Sequence, residues 1–182
     1  MFYSTTIFKK AGVVPSTANA VTMTFLLLAN FPAMLMLDRF GRRTLLLFWN
    51  SVIIVLLLVM SAAIIYESPL TLLLSTASFM TCFVFAPGPI TWIYMSEVMS
   101  YKGVAVATTL NWSCELLIGI ISKPMLESKV IGDYVFVIFA GTYTFATIVI
   151  CLCLKETRGK TEEEVSMLYV RDFEKVRPEI DE

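Results

Sequence analysis

The chain has 182 residues, 57% of them hydrophobic and 16% charged, with a formal net charge of −1 and no histidine. A soluble domain usually carries about 25% charged residues, and a small one lacks the interior volume to hide so much apolar surface. The balanced charge gives no footprint for a nucleic-acid partner, and without histidine there is no Ser/His or Cys/His nucleophile, so an enzyme is not expected.

Cys82, Cys114, Cys151 and Cys153 all lie inside apolar runs, where a thiol acts as a small packing residue. A disulfide framework or zinc site needs thiols in loops at ligand spacing, so neither a metal nor another cofactor is expected. The start of the chain has no charged n-region, long apolar h-region or small-residue cleavage site, so a cleaved signal peptide is not expected either.

In chain order, residues 1–10 read as the end of a truncated helix, because the apolar stretch 2–8 is too short to cross a bilayer. Residues 11–154 hold five transmembrane helices, at about 17–37, 44–66, 70–96, 103–124 and 134–154. Each rests on a run near the roughly 20 apolar residues a span requires. Pro15, Ser16 and Thr17 make a turn and helix start ahead of the first. Glu115 is the sole charged residue between positions 103 and 122.

The loop at 38–43, the loop at 99–102 and the tail after 154 carry ten of the lysines and arginines, against four on the opposite side (Lys9, Lys10, Lys123 and Lys129). By the positive-inside rule those segments and the C-terminus face the cytoplasm. Residues 155–182 read as a cytoplasmic tail with a short helix, opened by a Thr161 cap and the acids Glu162, Glu163 and Glu164.

Three constellations carry chemistry. Asp38, Arg39, Phe40, Gly41, Arg42 and Arg43 sit between two uncharged spans. A topogenic anchor needs only the arginines; the added acid points to a switchable ion-pair cluster of Asp38, Arg42 and Arg43, with Glu97 and Glu156 as acidic partners, because guanidinium forks bind carboxylates bidentately. Pro87, Gly88 and Pro89 break a helix at membrane depth, which is tolerated where the backbone lines a wet cavity. Phe83 and Trp92 flank the break and offer apolar walls for a ligand, although Trp92 also suits an interfacial anchor. Asn111 and Glu115, one helical turn apart, point the same way, and polar groups at this depth normally face the bundle interior. Glu115 has three open readings: binding hydroxyls, exchanging a proton, or pairing with Lys123.

Asp38-Arg39-Phe40-Gly41-Arg42-Arg43 resembles the loop between the eighth and ninth helices of sugar porters of the major facilitator superfamily. Pro87-Gly88-Pro89-Ile90-Thr91-Trp92 with Glu97 is similar to that family's tenth-helix motif, and Lys155-Glu156-Thr157-Arg158-Gly159-Lys160-Thr161 to its exit signature. Tyr3-Ser4-Thr5 through Ala11-Gly12-Val13 matches the end of the seventh helix, and Asn111-Trp112 the eleventh.

The resemblance implies an all-α polytopic membrane protein: the C-terminal six-helix bundle of the major facilitator fold with its first helix truncated. It further implies facilitative transport of a hexose-type sugar by alternating access, in an integral multi-pass protein of the plasma membrane. Its partners would be the sugar, the lipid bilayer and the missing N-terminal six-helix half, with no nucleic acid. Two alternatives stand beside it, a proton-coupled sugar or polyol symporter and a truncated isoform that regulates a full-length partner. Phe83, Trp92, Asn111 and Glu115 would bind the substrate, with Asn30 a further candidate although the family's asparagine falls nearer Leu26. Asp38, Arg42, Arg43, Glu97 and Glu156 would form the cytoplasmic gate. The sequence departs from the family pattern at Val84, where glucose transporters often carry glutamate, and at Glu115, where many carry an amide. The segment from Glu97 to Asn111 is also short and has Lys102 in place of an arginine.

Overall fold

The computed structural model describes residues 14–128, 131–160, 163–165, 167 and 169, except the side chains of Pro15, Ala18, Met34, Leu37 and Asp38. The expected helix end at 1–10 and the Thr161 cap lie outside the described residues.

Six helices follow one another along the described chain: α1 Pro15–Arg39, α2 Arg42–Ile65, α3 Pro69–Phe85, α4 Pro87–Val98, α5 Tyr101–Glu127 and α6 Val135–Cys153. Punctuation in the sequence sets their limits. Proline opens α1, α3 and α4 at the first turn, where a missing N–H costs no helical bond. Ser100 caps α5 by accepting from the Gly103 amide at 3.4 Å. Arg42–Ile65, Tyr101–Glu127, Val135–Cys153 and, taken through the break at Ala86, Pro69–Val98 are long and apolar enough to cross a membrane. Within α1 the corresponding apolar stretch, Asn19–Ala33, is shorter.

Packing centres on α2 and α3. Helix α3 lies against α1 and α2, and α2 also packs on α6. The main core joins Ile53, Leu57, Met60 and Ala63 of α2 to Leu72 and Cys82 of α3 and to Phe136 and Ala140 of α6. A second cluster, of Leu45, Leu46, Ala86 and Ile90, fixes the break between α3 and α4 against α2. There the Trp49 indole stacks on Phe85 with centroids 4.6 Å apart and planes 7° from parallel, a geometry worth about 1 kcal/mol beyond its buried area.

Helix α5 is different. Its contacts are chiefly with α4, and Leu110, Trp112, Leu116, Leu117, Ile120 and Ile121 are all exposed. An apolar face of that size needs lipid or another helical layer to cover it.

Candidate functional site

The geometry begins at the break. Helix α3 ends at Phe85, Ala86 adopts φ −147° and ψ −61°, and α4 restarts at Pro87. The first bond of α4 runs from the Ile90 amide to the Ala86 carbonyl at 3.0 Å. Pro87 and Pro89 therefore occupy positions whose N–H groups would have no helical partner within α4. The Thr91 hydroxyl donates back to the Pro87 carbonyl at 2.6 Å. Gly88 is held against Phe83: a Cβ built on it would lie 3.1 Å from both a Phe83 ring carbon and the Phe83 carbonyl oxygen.

A cavity of about 620 Å³ opens on this break, between α2, α4, α5 and α6. The structure brings together there Phe83, Pro87, Gly88, Pro89, Trp92, Asn111 and Glu115. Asn30 is elsewhere. It sits exposed on α1 and donates its amide to the Leu26 carbonyl, one turn back, at 2.8 Å. Glu115 forms no ion pair with Lys123; among the described residues the sole ion pair is Arg42–Glu97.

Among the lining residues that were not anticipated are two that pair with each other. The Tyr143 hydroxyl of α6 donates to Asn50 Oδ1 of α2 at 3.0 Å, and both residues border the cavity. Asn50 is 2% exposed. An amide in the middle of an uncharged span was the signal for it, since polar groups there are costly unless paired. Tyr143→Phe is expected to cost about 1–2 kcal/mol, the usual penalty for orphaning a buried acceptor. Thermal unfolding in detergent reads this, and the double variant Asn50→Leu/Tyr143→Phe should recover most of it, because no unmet polar group then remains.

The arginine-rich end holds a second network. Arg42 Nη2 reaches Glu97 Oε1 at 3.2 Å, and the buried Thr157 hydroxyl donates to the other oxygen, Oε2, at 2.6 Å. Glu156 behaves otherwise than as a guanidinium partner. Its two oxygens accept the backbone amides of Arg42 at 2.9 Å and Arg43 at 3.1 Å, so it caps the N-terminus of α2 from 114 residues away. The reason is space. Gly41 has no Cβ, and one built there would collide with the Glu156 carboxylate. Arg43 in turn donates through Nη2 to the Cys151 carbonyl at 2.7 Å, placing a cation at the negative end of α6. The side chain of Asp38 lies outside the described residues, and Lys102 is exposed with no ion pair among them.

Tyr94, in the last turns of α4, donates to the Lys155 carbonyl at 2.9 Å and contacts the Tyr169 hydroxyl. Helix α4 therefore runs from the cavity wall at Trp92 directly into the network that holds the tail.

The sequence matches the family model described as sugar (and other) transporter over residues 1–169. It is 29% identical to the Bos taurus solute carrier family 2, facilitated glucose transporter member 4, across 93% of this chain and 35% of that protein. It is 32% identical to the probable polyol transporter 6 of Arabidopsis thaliana, across 98% of this chain and 40% of that protein. A solved structure of the proton:xylose symporter XylE bound to 6-bromo-6-deoxy-D-glucose superposes with a TM-score of 0.81 at 20% identity, covering 92% of this chain and 38% of that one. The chain thus spans 35% to 40% of the length of these two curated relatives. The match over nearly the whole chain, on an all-α bundle that superposes on a major facilitator superfamily transporter, means that this chain belongs to the sugar (and other) transporter family.

Proposed function

We propose that this chain is the C-terminal half of an alternating-access carrier for a hexose-type sugar, acting without covalent chemistry. The observation that carries the reading is the cavity at the Pro87-Gly88-Pro89 break. Its volume of about 620 Å³ lies within the roughly 300–1,000 Å³ of small-molecule pockets. The rings of Phe83, Trp92 and Trp112 suit the C–H faces of a pyranose, and Asn111, Glu115 and Thr91 offer hydrogen bonds to its hydroxyls.

In this reading the exposed face of α5 and the open side of the cavity meet an N-terminal six-helix half, and the carrier sits in the plasma membrane with its C-terminus in the cytoplasm. The Arg42–Glu97 pair and the Glu156 cap would hold the cytoplasmic side closed while the cavity faces outward. Substrate would shift that balance only by its differential affinity for the two states.

The test is calorimetric titration of the chain, reconstituted in lipid nanodiscs, with glucose. Saturable binding is expected, weakened about three- to tenfold by Asn111→Ala, as for loss of one or two hydrogen bonds. Absence of saturable binding, or binding unaltered by both Asn111→Ala and Trp92→Ala, would reject this cavity as the sugar site.

A further inference from the structure

We propose that the cavity prefers a cationic sugar, a protonated amino sugar, over a neutral sugar of the same size. The inference rests on the sugar-carrier reading and names the substrate class of that same site.

Its basis is an imbalance of charge. Glu115 is half-buried in the cavity wall and has no hydrogen-bond or ion-pair partner among the described residues. Among the described residues, no lysine or arginine lines the cavity. From α2 the facing residues are Leu46 and Asn50, and from α6 they are Tyr143, Ala146, Thr147 and Ile150. The basic residues of α2 are committed elsewhere, Arg42 to Glu97 and Arg43 to the Cys151 carbonyl. Apart from Glu115, the titratable lining group is Tyr143, whose proton is already given to Asn50.

A carboxylate enclosed without a counter-charge is expensive at membrane depth. An alternating-access cavity must close around its cargo, and a cation on the cargo removes that cost. The walls also favour a cation independently of Glu115. Phe83, Trp92, Trp112 and Tyr143 present four aromatic rings to one cavity, and ring faces attract ammonium groups, most strongly when water is excluded. An ammonium between Glu115 and these rings would make a charge-assisted bond, roughly twice as strong as a neutral one. Asn111, one turn away on the same helix wall, remains for the ring hydroxyls.

The experiment titrates the nanodisc-embedded chain with glucosamine, glucose and N-acetylglucosamine at about pH 6, where an amine of this kind is protonated. Glucosamine is expected to bind about tenfold tighter than glucose, an advantage that the neutral N-acetyl derivative lacks. Glu115→Gln, which keeps size and removes the charge, should bring the ratio of glucosamine to glucose affinity to about one, whatever it does to the affinity for glucose itself. Equal binding of charged and neutral sugars by the wild-type chain would overturn the inference and leave the sugar reading intact. Tight glucosamine binding unchanged in Glu115→Gln would overturn it too. Failure of all three sugars to bind would reject the sugar reading itself, and this inference with it.

Discussion

Replacing Glu156 with alanine is expected to lower the stability of the bundle by about 2 kcal/mol, more than a surface ion pair contributes. The carboxylate accepts the first two amides of α2, from Arg42 and Arg43, and a third from Arg158 at 3.2 Å. The amides of Arg42 and Arg43 belong to the first turn of a helix, where no carbonyl within the helix reaches them. A negative charge there also faces the positive end of the helix dipole. Glu156→Gln keeps an acceptor and loses the charge, so it should recover roughly half of the loss. Gly41→Ala acts on the same contact from the other side, because its Cβ would occupy the place of the carboxylate. Thermal unfolding in detergent should therefore show Gly41→Ala and Glu156→Ala with similar losses, and the double variant with little more than either, as coupled sites require. Additive losses would mean that Gly41 acts through some other contact. For a carrier the consequence is directional. Should these contacts be broken when the cavity opens to this side, losing about 1.4 kcal/mol of them raises the open population about tenfold.

Much of this arrangement was legible in residue order alone, for a physical reason. Inside a bilayer each helix satisfies its own backbone, so the length of an uncharged run sets the length of the element and little else competes. The break at Ala86 follows similarly from Pro87 and Pro89, whose rings cannot continue the turn above them. The meeting of Phe83, Trp92, Asn111 and Glu115 was legible through the family pattern, which encodes positions that share one cavity. The Asn50–Tyr143 pair was not legible, because each residue looks like a lone polar group in an apolar run and 93 positions separate them. The part played by Glu156 was hidden for another reason. Charge matching assigns a glutamate beside arginines to their guanidinium groups. Only the fold shows that the missing Cβ of Gly41 admits the carboxylate to the backbone itself. Asn30 shows the converse: the family pattern made it only a further candidate, since the family's asparagine falls nearer Leu26, and its amide donates to the carbonyl of Leu26 one turn earlier.

Gly88→Val is expected to weaken hexose binding by more than about tenfold, the effect of some 1–3 kcal/mol of overpacking directed at a binding wall. Even the first carbon of a side chain at Gly88 would sit 3.1 Å from a Phe83 ring carbon and 3.1 Å from the Phe83 carbonyl oxygen. The ring can swing aside by a few tenths of an ångström. The carbonyl cannot, because it belongs to the last turn of α3, and Phe85 two residues on is stacked on Trp49. Alanine at this site should therefore be tolerated at a cost of about 1 kcal/mol, the low end for overpacking. Valine adds two methyl groups and must push the Phe83 ring toward the space that a sugar would occupy. Removing that ring separates the two consequences. Gly88→Val/Phe83→Ala should regain thermal stability relative to Gly88→Val, since the clash with the ring is gone, and yet bind glucose no better, since the wall is gone with it. Recovery of both together would mean that Phe83 blocks the cavity instead of forming its wall, and the pyranose face would then have to rest on Trp92 and Trp112 alone.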